Sequence, residues 1–207
     1  MDVPIVGDAL PRRGNRLSRL IAQSLLALFG WRIEVDGAPN LPKLMLVGAP
    51  HTSNWDFVLT LITFFALSVK ISWMAKHTFF RWPFKGFLAW LGGVPVNRSN
   101  RDDGIVNQTI KSFNDHDKFV IAIMPEGTRS KTRRWKTGFY HIAQGAKVPI
   151  VLVRFDYGRK VMGIGPAIEP SGDIAGEMAH IQSLFAAIEG KNPQQGVSRA
   201  PESRLPA

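Results

Sequence analysis

The 207-residue chain predicts an α/β fold: a single domain with a mostly parallel central sheet flanked by helices on both faces, preceded by an N-terminal membrane-surface helix. Three observations predict it. Short apolar runs without an alternating period, at 44–49 and 119–124, suit strands buried on both sides. Segments with apolar residues at helical spacing, such as 102–116 and 174–188, fall between such runs, so strands and helices alternate along the chain. The length suits one domain with a substantial core.

Residues 1–14 read as a loosely ordered N-terminus. Residues 15–30 follow as an amphipathic helix, with Arg12, Arg13, Arg16 and Arg19 placed for lipid headgroups and Leu, Ile, Phe and Trp side chains for the acyl boundary. The alternation over 31–35 predicts a strand, and Asp36-Gly37 a turn. After Pro39 and Pro42 the strand at 44–49 leads into Pro50-His51-Thr52-Ser53-Asn54-Trp55-Asp56 and an apolar helix over 57–67. A strand at 71–75 precedes an aromatic and cationic segment that contains Lys76, Phe79, Phe80, Trp82 and Phe84, cut by Pro83 and Gly86. A short helix over 87–91 ends at Gly92-Gly93, and a short strand at 94–96 delivers Arg98. The helix at 102–116, the strand at 119–124, a helix at 137–146, strands at 148–155 and 160–168 and a helix at 174–188 complete the body of residues 31–190. Residues 191–207, with three prolines and no aromatic side chain, read as a disordered tail.

The formal net charge of +10 predicts attraction to polyanions, whether an anionic membrane, phosphorylated substrates or nucleic acid. The basic run around Lys131, Arg133, Arg134 and Lys136 with Trp135 suits either stacking on nucleic acid or anchoring at a membrane interface. With no cysteine, a disulfide, a thiolate metal site and a cysteine nucleophile are all excluded. The longest run without charge, 57–69, falls short of the ~20 apolar residues that a membrane-spanning helix needs. The histidines show no metal-ligand spacing, so no metal is assigned, and neither a Gly-x-Ser-x-Gly elbow nor a phosphate-binding P-loop is present.

In a parallel sheet, chemistry collects where strands end. His51 ends the strand at 44–49, and a helix starting at Ser53 or Asn54 puts Asp56 in its first turn, where its carboxylate can bond one imidazole nitrogen and leave the other as a general base. Ser53-x-x-Asp56 also reads as a capping box, with His51 a polar turn residue. The turn Glu126-Gly127-Thr128-Arg129 after the strand at 119–124 offers a glycine for close approach and a guanidinium for phosphate or carboxylate oxygens. Lys76 and Arg98 lie at strand ends on the same predicted rim, as candidates for a shared anion site.

Together these motifs resemble the glycerolipid acyltransferase superfamily, best known for its lysophosphatidic acid acyltransferases. His51 to Asp56 is similar to its His-x4-Asp motif. Lys76 with Phe79 or Phe80, then Pro83, Phe84, Gly86, Gly92 and Arg98, resembles the second motif. Glu126-Gly127-Thr128-Arg129-Ser130 resembles the third and Val148-Pro149-Ile150-Val151 the fourth. One departure is Pro50, where many members carry asparagine. The resemblance implies an acyltransferase domain over 31–190. His51, oriented by Asp56, would deprotonate the hydroxyl of a lysophospholipid, 1-acyl-glycerol-3-phosphate above all, for attack on the thioester of acyl-CoA or acyl-carrier protein. That donor is a co-substrate, and no cofactor is implied. Lys76, Arg98, Glu126, Gly127, Thr128 and Arg129 would bind the acceptor and its phosphate. The expected location is peripheral, on the cytoplasmic face of an anionic membrane, with Phe79, Phe80, Trp82 and the N-terminal arginines in contact. An aminolipid, glycolipid or lipid-A-type acceptor is the alternative substrate class, and a non-enzymatic binder of anionic membrane or nucleic acid the alternative function.

Overall fold

The structure, a computed structural model, describes residues 3–4, 6–37, 40–96, 102–132 and 134–196, with the backbone alone at 102 and 103. Its centre is a seven-stranded sheet in the order β1-β7-β6-β2-β5-β3-β4, built from β1 (Arg32–Val35), β2 (Lys43–Ala49), β3 (Ser72–Lys76), β4 (Gly93–Val96), β5 (Phe119–Ile123), β6 (Ile150–Asp156) and β7 (Val161–Ile168). Strands β4, β3, β5, β2 and β6 run parallel, β7 returns antiparallel to β6, and β1 pairs parallel with β7 at the edge. The carboxyl ends of β3, β5, β2 and β6 therefore share one rim.

Side chains of β2 alternate between two cores. Leu44 and Leu46 pack with Leu26, Leu59, Phe64, Val153 and Phe155, a cluster that takes in α1 (Arg16–Leu28) and α2 (Asn54–Ala66). Met45, Val47 and Ala49 face the other way, into a cluster with Phe139, Ile142, Ile181 and Phe185 from α5 (Gly138–Ala146) and α6 (Ile174–Phe185). Phe113 of α4 (Asp102–Asp115) joins that second cluster. A strand covered on both sides must be apolar at successive positions, which is why β2 lacks a two-residue period. Gly48 leaves the room that Met124 and Phe155 occupy: a Cβ there would lie 2.7 Å from the Met124 sulfur.

Helix α1 begins with a reciprocal cap, in which Ser18 N–H donates to Asn15 Oδ1 and Asn15 N–H to Ser18 Oγ, both at 2.9 Å. It packs on α2 through Ala22 and Leu26, while Leu17, Leu20, Ile21, Leu28 and Phe29 stay exposed. The short α3 (Lys85–Trp90) adds Phe87 and Trp90 to this exposed apolar face, with Trp90 against Phe65 of α2.

The described residues of both terminal segments are more ordered than the composition predicts. Leu10 is buried, Arg12 bridges Val69, and Pro11 accepts a hydrogen bond from Lys70 N–H, so residues just before α1 are pinned to the end of α2. Residues 191–196, expected to start a disordered tail, instead form a 3-10 turn (Pro193–Gln195) against the β2–α2 turn. Composition missed both because each segment is held by contacts with remote backbone, not by a periodic apolar face of its own. Residues 197–207 lie outside the described region.

Candidate active site

The site is built where β2 passes into α2. Ser53 is the N-cap: its Oγ accepts from Trp55 N–H at 3.2 Å, and the Asp56 carboxylate reaches back to Ser53 N–H at 2.8 Å. The capping box and the histidine partner, rival readings of the sequence, prove to be the same carboxylate. Asp56 Oδ2 accepts from Thr52 N–H at 2.9 Å as well as from Ser53 N–H, and lies 3.1 Å from His51 Nδ1. Because an ionised carboxylate only accepts, Nδ1 carries the proton and Nε2 is the free acceptor. Asp56 is fully buried, whereas the His51 side chain is 18% exposed, so the pair has a shielded carboxylate end and an accessible imidazole end.

The second turn locks onto the first from the neighbouring strand. Glu126, one strand spacing away after β5, is buried and accepts His51 N–H through Oε2 at 2.7 Å. One carboxylate oxygen of Glu126 thus holds the His51 backbone, a contact that the sequence alone does not show. Burial pushes the Glu126 carboxyl up to about 7, against the opposing pull of the His51 N–H and imidazole. Between its ordinary value of 4.5 and about 7, the folded chain holds a proton here that the unfolded chain has released. This group accordingly favours the fold fully below pH 4.5 and loses that contribution as the pH rises through about 7. Glu126→Gln should remove this slope. Melting both proteins from about pH 5 to pH 8 checks it: the wild type should lose ground to the variant as pH rises, and a constant gap in Tm would contradict the assignment.

Gly127 follows with φ +64°, a left-handed conformation that favours glycine, and swings Thr128 and Arg129 outward into solvent. Thr128 Oγ1 accepts Ser130 N–H at 3.2 Å, a local turn contact. Segment 191–196 ties this turn to the first. Asn192 donates to Thr52 O at 2.7 Å, and the carboxamide orientation that satisfies Gln195 aims its nitrogen at Thr52 O and Arg129 O, 3.2 and 2.8 Å away. Lys76, exposed at the end of β3, lies beyond β5, about two strand spacings or ~10 Å along the rim from β2. Arg98 lies outside the described residues.

Two further observations concern residues beyond the sequence motifs. Tyr157, the first residue after β6, donates its hydroxyl to Asp56 Oδ1 at 2.7 Å. The only signal for it was its place at a strand's carboxyl end, masked by the Tyr-Gly turn that follows. Beside it, an apolar cavity of about 310 Å³ runs between α1 and α2, lined by Leu25, Phe29, Trp55, Val58, Leu59 and Tyr157 itself. Among the described residues no three His, Asp or Glu side chains are grouped to hold a metal ion.

The residues expected at a membrane divide. Arg16, Arg19, Phe79 and Trp82 are exposed, Trp82 at 92%. Arg12 instead folds back on Asp8 and on the Val6 and Gly7 carbonyls, and Arg13 sits over the rings of Phe65 and Trp90 at 5.1 and 5.0 Å. Phe80 is half-buried against Gly93, and Trp135, expected at the surface, is buried against Phe185 because the chain after the Glu126 turn runs back over α6. Among the described residues no helix is long and apolar enough to cross a membrane.

Residues 32–156 match the acyltransferase family, and this span holds the entire His51, Asp56 and Glu126 constellation. The chain belongs to that family. It is 29% identical over 169 residues to the 1-acyl-sn-glycerol-3-phosphate acyltransferase of Haemophilus influenzae, covering 72% of this chain and 68% of that one. It is 33% identical over 138 residues to the enzyme of the same description from Escherichia coli, covering 62% and 54%. The chain thus spans about half to two thirds of the length of such relatives. The acyltransferase fold is also seen in the crystal structure of the 1-acyl-sn-glycerophosphate acyltransferase from Thermotoga maritima, at a TM-score of 0.56 and 19% identity, over 82% of this chain and 76% of that one.

Proposed function

We propose that this acyltransferase-family protein transfers a fatty acyl group from a thioester, acyl-CoA or acyl-carrier protein, to the free hydroxyl of 1-acyl-glycerol-3-phosphate. The observation that carries the reading is the 3.1 Å contact between His51 Nδ1 and the buried Asp56 carboxylate, beside an apolar cavity. His51 Nε2 removes the proton from the acceptor hydroxyl, whose oxygen attacks the thioester carbonyl carbon. Asp56 stabilises the imidazolium so formed. The tetrahedral adduct collapses with cleavage of the carbon–sulfur bond, and the thiolate, of ordinary pKa near 8.5, leaves with little acid assistance and then takes the proton from the His51 imidazolium, which restores the free base. The acceptor phosphate lies against Arg129, with Lys76 as a second cation along the rim.

The acyl chain occupies the cavity between α1 and α2. Leu25, Phe29, Trp55 and Val58 line it and are also exposed, so it opens on the protein's apolar face. That face, with Arg16 and Arg19 on the same helix, rests on an anionic lipid surface, the cytoplasmic one where acyl thioesters are made. Relatives with the printed activity and the matched family support the substrate class.

The test is a screen of purified protein with acyl-CoA and acyl-carrier protein against 1-acyl-glycerol-3-phosphate, other lysophospholipids and lyso-aminolipids, read by thiol release and product mass. Phosphatidic acid should form fastest. Arg129→Ala should raise the KM for the phosphate acceptor by roughly 10- to 100-fold, the loss expected for a charged hydrogen bond. A preference for an acceptor without a phosphomonoester would move the protein to another lipid class, and thiol release without any acceptor requirement would end the proposal.

A further inference from the structure

We infer that Tyr157 is a positioning residue for acyl transfer, holding through its hydroxyl the carboxylate oxygen of Asp56 that the turn itself leaves unserved. The inference rests on the proposed role of the His51–Asp56 pair. Asp56 Oδ2 is saturated by His51 Nδ1 and the N–H groups of Thr52 and Ser53, whereas Oδ1 has Tyr157 as its hydrogen-bond partner, at 2.7 Å. Both oxygens belong to a fully buried side chain, so an unserved Oδ1 could not turn to water. Burial and the facing carboxylate push the Tyr157 phenol far above its ordinary value, so it remains a donor throughout the working range.

Tyr157 is held independently of Asp56. Its backbone N–H donates to Glu189 O at 2.8 Å, and its ring meets Trp31 edge-on with centroids 4.9 Å apart. The position follows from topology: β6 is the immediate neighbour of β2, so the first residue past its carboxyl end arrives beside the β2–α2 turn. Among the described residues, the titratable and charged groups around the pair are His51 on the same turn, Glu126 after β5, Tyr157 after β6, Lys160, which lines the same cavity as Tyr157, and Lys191, whose Nζ lies 4.8 Å from the Trp55 ring. Of these, only His51 and Tyr157 contact the carboxylate itself through side-chain groups.

Tyr157→Phe keeps the ring that lines the cavity and deletes the donor. Its kcat should fall roughly 10- to 100-fold with the acceptor KM little changed. The acid limb of the kcat–pH profile should move to higher pH, because a buried oxygen that has lost its donor takes a proton more readily. In an Asp56→Asn background the same deletion should cost far less, as two residues acting through one interaction are not additive. Wild-type kcat with an unmoved acid limb would overturn the inference, and so would an equal loss in both backgrounds. If the phenylalanine variant does not fold, fluorotyrosine is the second probe. Tyr140 and Tyr157 are the chain's only tyrosines, and with Tyr140→Phe as the parent the label is confined to Tyr157. A more acidic phenol donates more strongly, so the acid limb should shift to lower pH, and an unmoved limb counts against the inference. Full turnover by His51→Ala would instead overturn the base itself, whereas an inactive His51→Ala beside an unaffected Tyr157→Phe removes this inference alone.

Discussion

Replacing His51 with alanine should lower the turnover of acyl transfer by about 10²- to 10⁴-fold, the range a general base contributes, while leaving Tm within about 3 °C. The split between activity and stability follows from where the contacts lie. The His51 side chain is partly exposed and, among the described residues, hydrogen-bonds Asp56 alone, whereas its backbone N–H, which the substitution keeps, carries the bond to Glu126. Asp56 retains Thr52 N–H, Ser53 N–H and the Tyr157 hydroxyl. Thiol release from an acyl thioester and a circular-dichroism melt check both halves. Near-normal turnover in the folded variant would show that His51 is only a turn residue.

Asp56→Ala should do something different: abolish turnover to a similar degree and also destabilise the chain by about 3 kcal/mol or more, lowering Tm by ~10 °C. The carboxylate serves His51, two turn N–H groups and Tyr157 from a fully buried position, so its removal leaves donors without partners where water cannot reach. It also strips the N3 acceptor from the α2 capping box. Equal melting of the two alanine variants would contradict this, since it would mean that the buried network contributes nothing to folding. The pair of results would separate a residue needed for turnover alone from one needed for both turnover and folding.

Much of this design is legible along the chain. The apolar runs of β2 and β5 announce buried strands, and Ser53 announces the start of α2, because a cap and a periodicity are properties of neighbours in sequence. From these alone His51 and Asp56 can be placed across a strand-to-helix corner. The position of Glu126 at a strand end is legible in the sequence, but its bond to His51 is not. A glutamate beside an arginine looks like a polar turn, and only the pairing of β2 with β5 turns its carboxylate inward to His51 N–H. The contacts of Arg12 with Asp8 and nearby carbonyls, and of Arg13 with two aromatic rings, are likewise absent from any local pattern.

By itself, then, the sequence determined the strands and helices and the corner that brings His51 beside Asp56, since each rests on residue type and local spacing. Tertiary structure alone decided the strand order, the inward turn of Glu126, the reach of Tyr157 from β6 and the docking of residues 191–196 on Thr52. The physical reason is that hydrogen bonds to Asp56 and Thr52 are made across strand neighbours and chain ends far apart in number. No periodicity within a window of residues encodes which distant donor will meet which buried acceptor.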